Sequence, residues 1–447
     1  MRDCKWIFLH PAERKGEQHD LEVVLDGKIL VRIDNDHTAK CCPKSDRQLE
    51  RDKCRVAVKR KAEESVNCRP MKIVRRESQN GDYNNICVSD LELVMRSLYR
   101  ERHKSLSTLP HSKEETVAML FQEGGSVLTS AGEKFVFIRD GMIMLTCETN
   151  IRLLAATKML LGDGTFNRAL KFFYQLYTIH GYINGHNVPL AFFPLPDKKE
   201  TTYVKMFKFL RDSVRELCGI DMEPDVILLD FEKGAHNAAA EVFKCATRGC
   251  KFHFSQSLIK HIQKAPLLRT TYCTPSESDQ NGLFVRNDER DWLVSFLGLC
   301  HLPPALVGDV FTMLFEKIPD GEEFSEFCDY ILETYVDELQ AMFLPEVWAS
   351  EPADLPTTTN GAEGFHADFN RQFASGHPNI HASLQVLLEV QAQTYVKIRT
   401  IKCGESKRRK AVVCERSERR KKAWQEVLRG NRLPLSFAKL CGYMSKT

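Results

Sequence analysis

Two short apolar runs without in/out alternation, TKMLLGD (Thr157–Asp163) and PDVILLD (Pro224–Asp230), read as strands covered on both faces. Each ends in a carboxylate, half in the core and half at its mouth. Between them, FFYQLYTIHGYI and NVPLAFFPL read as two more strands, with turns at Gly162–Asn167 and Gly185–Asn187. These connections are too short for a crossover, so the first three strands form an antiparallel meander. Thr201–Cys218 follows as an amphipathic helix whose stripe is Tyr203, Met206, Phe207, Leu210 and Val214. A helix of that length permits a parallel return, which brings PDVILLD beside TKMLLGD. Asp163 and Asp230 then stand on adjacent strands. EKGAHNAAAEVF reads as a second helix, CKFHF as a short strand and SQSLIKHIQKA as a third helix.

The flanks read differently. Residues 1–85 form a polar, β-rich unit that contains a hairpin around Asp26-Gly27, and residues 86–150 a helical connector followed by a second hairpin at Asp140-Gly141. The connector helix has Leu91, Val94, Met95 and Leu98 on one face and Ser89 as its cap. Residues 151–265 hold the first part of the strand-rich core. Residues 266–356 are helices separated by Pro and Gly breaks, 357–400 the final core helices, and 401–447 a basic tail. The order of three antiparallel strands, helix, strand, helix, strand, helix is that of an α/β, RNase H-like mixed sheet, here interrupted by an all-helical insertion.

Composition narrows the class. With 28% charged and 43% hydrophobic residues, the chain is globular rather than disordered. No apolar run is long enough to span a bilayer, so no membrane partner is expected. Sixteen scattered cysteines suggest reduced thiols inside the cell. A net charge of +3 decides nothing, but its distribution does. Arg51–Arg76 carries ten basic residues against three acidic ones, including Lys59, Arg60 and Lys61. Lys402–Lys422 repeats that ratio and includes Lys407, Arg408, Arg409 and Lys410. Both blocks can meet a phosphate backbone, and the second also fits nuclear import.

A third acid comes from TTTNGAEGFHADFNRQF, which opens a helix capped by Thr359 or Asn360. Phe365, Phe369 and Phe373 make one apolar stripe, while Glu363, His366 and Asn370 make a polar stripe that can face the sheet's mouth. On position alone, Glu363 could instead merely offset the helix dipole.

Several motifs in order, DGTF (Asp163–Phe166), FYQLYTIHG (Phe173–Gly181), VPLAFFPLP, ETTY (Glu200–Tyr203), GCKFHFSQ (Gly249–Gln256) and TNGAEGFHADFN (Thr359–Asn370), resemble the MULE transposase domain of Mutator-like elements. The resemblance runs from about Leu153 to about Tyr395. It implies a DDE transposase with Asp163, Asp230 and Glu363 as catalytic acids that hold two Mg²⁺ ions, or Mn²⁺, for cutting and joining DNA. It implies that Cys250 and His253, a Cys-x-x-His pair, sit at the active-site rim with His366 and Asn370. In a strand, residues three apart face opposite sides, so ligation by both Cys250 and His253 would need a turn. The family tends to have two asparagines before the last acid, and Gly361 in the second place is expected to loosen the cap. The stretch from Cys42 through KCRVAVKRKA resembles a FLYWCH-type module, which would bind Zn²⁺ through Cys42 and Cys54. Partners implied are double-stranded DNA, both transposon ends and target, and a second copy in a homodimer. The rival expectation is a transposon-derived DNA-binding regulator that has the fold without the catalysis.

Overall fold

The computed structural model describes residues 20–25, 28–34, 44–61, 70–81, 83–105, 107–274, 287–353, 355–373, 376–407 and 411–445. They fall into two compact units, one ending at Ser105 and the other running on from residue 106.

In the first unit, β1 (Asp20–Leu25) and β2 (Lys28–Asp34) pair antiparallel, as the hairpin pattern predicts. The remainder is helical: α1 (Asp46–Arg60), α2 (Pro70–Asn80) and α3 (Val88–Ser105). The unit therefore extends past residue 85 and includes the helix expected to be a connector. Ser45 caps α1 in a capping box with Gln48. Ser89 is not the cap of α3; it accepts from Arg47, while Asp90 accepts from the Cys87 N–H and pairs with Arg47 and Arg51.

The second unit is built on one seven-stranded mixed sheet with the order β3-β4-β7-β6-β5-β8-β9. Helix α4 (Lys113–Glu123) precedes the hairpin of β3 (Val136–Arg139) and β4 (Met142–Leu145), and α5 (Glu148–Ala156) leads into the sheet's centre. The meander is β5 (Met159–Thr165), β6 (Gln175–Ile183) and β7 (His186–Leu195), antiparallel throughout. Helix α6 (Glu200–Cys218) then carries the chain to β8 (Val226–Leu229), parallel to β5. After α7 (Lys233–Phe243) comes β9 (Ala246–Gly249), parallel to β8.

Two departures from expectation bear on the site. The first hairpin joins the same sheet, where β4 touches β7 at Leu145 and Phe192. That single contact leaves most of β7's outer edge unpaired, which accommodates Pro189 and Pro194. A register shift makes Leu190 the extra residue opposite Ile179 and His180. Its carbonyl accepts instead from Thr146 Oγ1 (2.6 Å) and Asn150 Nδ2 (3.0 Å). The second departure is at Cys250–Phe254. The Phe-x-Phe alternation predicts a strand, but these residues open helix α8 (Lys251–Lys264), with Cys250 as its cap and the Phe254 N–H donating to the Cys250 carbonyl.

The helical region consists of α9 (Pro266–Cys273), α10 (Asp288–Gly298), α11 (Pro304–Phe315), α12 (Glu322–Ile331) and the short α13 (Pro345–Trp348). It has its own core, in which Phe254 stacks on Trp348 at 4.5 Å between ring centres. Helices α14 (Asn360–Arg371) and α15 (Ile380–Lys402) return to the sheet. The expected basic tail is instead two helices, α16 (Ala411–Leu428) and α17 (Pro434–Ser445), whose Trp424, Phe437 and Cys441 enter the core of the helical region. Two glycines allow the closest approach. A Cβ on Gly298 would lie 1.7 Å from the Ala438 carbonyl oxygen, and one on Gly442 would lie 2.0 Å from that of Val294.

Candidate active site

The pleat decides which side chains meet. Asp163 on β5 lies opposite Thr178 on β6, and Leu161 opposite His180 and beside Leu228 of β8. Residues in register share a face, so Asp163, Thr178 and His180 look one way. Asp230 lies two residues past Leu228, on that same side. The other face, with Leu160, Tyr177, Ile179 and Leu229, packs beneath α6 and α7. The glycines flanking Asp163 belong to this second face, where space is short. A Cβ on Gly162 would lie 2.7 Å from both the Tyr177 hydroxyl and Leu229, and one on Gly164 would lie 2.4 Å from Gln175 Oε1.

Helix α14 supplies the third acid. Phe369 and Phe373 are buried against Leu176, Phe192 and α15, which fixes the helix's rotation. The opposite stripe then meets the sheet: His366 Nδ1 is 3.1 Å from Asp163 Oδ2, and Asn370 is 3.4 Å from Thr165 Oγ1. Thr359 Oγ1 lies 3.1 Å from Glu363 Oε1 and 3.2 Å from Cys250 Sγ, so the cap residue holds the acid in place. Thr359 makes no side-chain cap bond to the helix backbone, and the close approach of Gly361 to the sheet is what its size permits. A Cβ there would lie 2.7 Å from Asn187, so the small residue lets α14 approach β7.

A polar chain runs behind Asp163. Asn187 Nδ2 is 3.0 Å from His180 Nδ1, His180 Nε2 is 2.9 Å from Thr178 Oγ1, and Thr178 Oγ1 is 2.9 Å from His366 Nε2. One set of tautomers runs donors in a single direction, from the Asn187 amide through His180, Thr178 and His366 to Asp163. Burial keeps His180 well below the usual histidine range, so it is neutral, as that direction requires. The other Asp163 oxygen accepts from the Gly164 N–H at 2.8 Å. Asp163 is thus oriented from both sides.

Asp230 is not satisfied in this way. Its Oδ1 is buried and has no hydrogen-bond partner among the described residues. Burial, with the charges of Glu232 and Asp163 nearby, pushes its carboxyl well above the usual carboxylate range. Burial also raises Glu363, with Asp163 adding to the shift against His253 and Thr359. Two carboxylates of raised proton affinity on either hand of Asp163, one with an orphaned oxygen, fit an oxygen-ligated divalent cation.

Cys250 and His253 lie beside this group. As cap and third residue of α8 they share a helix face, whereas a strand would have parted them. Cys250 Sγ, a His253 ring nitrogen and a Glu363 oxygen all lie within 4.8 Å of one another. His253 Nε2 is 3.6 Å from Glu363, and its Nδ1 is buried without a partner.

Sequence reasoning missed Glu232, although it stands only two residues after Asp230. Tyr203 O–H and Lys198 both bind its carboxylate, and Gln175 holds Tyr203 at 2.8 Å, so it is a compensated neighbour of Asp230.

The expected DNA and zinc residues of the first unit lie mainly on α1. Cys54 is fully buried in α1, and burial pushes its thiol up to about 11. The only grouping of metal-ligand type among the described residues is Cys250, His253 and Glu363, so Cys54 gains no zinc partner there; Cys42 lies outside the described residues. Lys59 pairs with Glu101 at 2.9 Å and Lys61 pairs with Glu77, while the exposed Arg60 has no ion-pair partner among the described residues. Packing of α1 on α2 and α3 brings these acids to the lysines. Lys407 is exposed and its N–H donates to Asn184 at the β6–β7 turn; Arg408, Arg409 and Lys410 lie outside the described residues.

A mixed α/β sheet is compatible with the family that the sequence matches. Residues 159–257 match the family model of the MULE transposase domain. The match takes in Asp163, Asp230, Cys250 and His253, and stops before Glu363. No curated protein matches the chain.

Proposed function

We propose that this protein is a Mutator-like DDE transposase, or a derivative of one, that cuts and joins DNA strands at transposon ends. The observation that carries the reading is the buried Asp230 oxygen, partnerless among the described residues, beside Asp163, whose charge also acts on Glu363. The strand order β7-β6-β5-β8-β9, three antiparallel and then two parallel, supports an RNase H-like core, with α9–α13 as its helical insertion.

Asp163, Asp230 and Glu363 would hold the Mg²⁺ or Mn²⁺ ions, in the two-ion arrangement that this chemistry uses. Such ions activate the attacking oxygen and neutralise charge on the phosphate. The chain's own residues supply the rest. His366 and the Gly164 N–H fix both Asp163 oxygens, and Thr359 fixes Glu363. His253 and Asn370 border the acids where the DNA strand would lie. The substrate is double-stranded DNA, the compartment the nucleus, and the working form a homodimer on paired ends.

A cleavage assay tests this, using labelled duplexes from the inverted repeats that flank the coding locus, with Mg²⁺. Parent protein should nick them, and Asp230→Asn should lower the rate by about three orders of magnitude, roughly 4 kcal/mol of barrier. DNA binding without cleavage by the parent would instead identify a transposon-derived regulator.

A further inference from the structure

A second cavity, of about 380 Å³, opens between the start of α8, the segment before α14 and helices α16 and α17. Its wall includes Lys251, His301, Arg416 and Arg420, and no acidic residue among the described ones. Lys251 and His301 are each only 6% exposed. The Lys251 ammonium donates one hydrogen bond, to the Ser350 carbonyl at 2.8 Å. The Arg420 Nε is buried with no partner among the described residues. Hydroxyls of Ser255, Thr357 and Ser417 complete the polar lining.

Two buried or half-buried cations facing one cavity without a counter-charge are costly, and a protein normally pairs or neutralises such groups. Here the neighbours make matters worse. Burial pulls Lys251 down to about 8, and the charges of Arg420 and Arg248 act in the same direction. Arg248 is itself held only by the carbonyls of Glu346 and Ala349. The donors, by contrast, suit an oxyanion: an ammonium, guanidinium groups and hydroxyls converge on one space.

Its position points to the source of that anion. Lys251 follows Cys250, and its N–H donates to the Thr357 carbonyl at 2.9 Å. Asn360 lines the cavity, while Thr359, the preceding residue, touches both Cys250 and Glu363. The cavity and the acids therefore lie on either side of the first turn of α14.

We infer that this cavity is a phosphate site that grips the backbone of the DNA strand next to the phosphate presented to the acids. This rests on the reading of the acid cluster as a DNA-cutting site, but its test does not depend on cutting. Binding of a fluorescein-labelled duplex by the full chain is followed by anisotropy in EDTA across a range of KCl concentrations. Arg416→Gln and Arg420→Gln should each weaken binding about tenfold, and each should reduce the slope of log affinity against log salt by about 1. Inorganic phosphate should raise the melting temperature of the parent and leave that of Arg420→Gln unchanged. Parent-like affinity and slope in both variants overturn the proposal. So does phosphate stabilisation of the parent with DNA binding unaltered in the variants, which would assign the cavity to a free phosphate ligand. Loss of binding in these variants, with no cleavage by the parent, would keep the phosphate site and remove the nuclease reading.

Discussion

The acid cluster and the basic cavity flank the first turn of α14 and carry opposite imbalances. At the sheet's mouth, burial and the charge of Asp163 raise the proton affinity of Asp230 and Glu363, and an Asp230 oxygen has no donor among the described residues. In the cavity, Lys251 and Arg420 share a wall without an acid among the described residues. Neither region is built for stability alone, since paired or apolar groups would serve better in both places. Their difference is one of sign, and a cation-loaded phosphate backbone would satisfy both at once. The scaffold differs too. Asp163 on its strand and Glu363 on the first turn of α14 are held by hydrogen bonds, whereas the cavity depends on two C-terminal helices pressed onto the helical region.

That contrast can be broken from the cavity side. Gly442→Ala places a methyl group against the Val294 carbonyl and forces α17 away from α10. The expected cost is about 3 kcal/mol in denaturant melts. The cavity wall at Met444 and Ser445 moves with α17, so DNA affinity falls while Mn²⁺ affinity holds. Equal loss of both would show that the two regions are one cooperative site.

From the acid side, His366→Gln removes the last link to Asp163 without touching the cavity. Such outer partners of metal ligands are worth about 10–100-fold in metal affinity. Titration with Mn²⁺ should show that loss, with DNA affinity in EDTA unchanged.

The smallest effect is on stability against pH. Asp230 binds its proton more tightly folded than unfolded, so the stability it contributes is full below about pH 4. It is lost as pH rises through the elevated folded pKa. Metal-free protein should therefore lose stability as pH rises above the acid range, and Asp230→Asn should flatten that decline. Melting temperatures across pH, with and without Mg²⁺, measure it.

Much of the sheet was legible because its strands are apolar on both faces and its turns are short. The β5–β6–β7 meander, the α6 crossover and the phenylalanine stripe of α14 all follow from periodicity. The strand at Cys250–Phe254 was misread because two phenylalanines at alternate positions look like a pleat, although backbone hydrogen bonding from Phe254 to Cys250 makes a helix. The helices α16 and α17 were hidden by charge: a surface of Arg and Lys masked the spacing of Trp424, Phe437 and Cys441. The partners of two lysines in the basic block of the first unit were not legible, since Lys59 and Lys61 meet Glu101 and Glu77 only after three helices pack. Long-range pairings of this kind, like the buried Asn150–Gln391 amide pair that ties α5 to α15, leave no local pattern.

The central claim is that three acids distant in sequence make one cation site. Calorimetric titration of the full chain with Mn²⁺, repeated for Asp163→Asn, Asp230→Asn and Glu363→Gln, tests it most directly. Each single change should cost at least about tenfold in affinity. Parent-like Mn²⁺ binding in any one of the three variants would contradict a shared site.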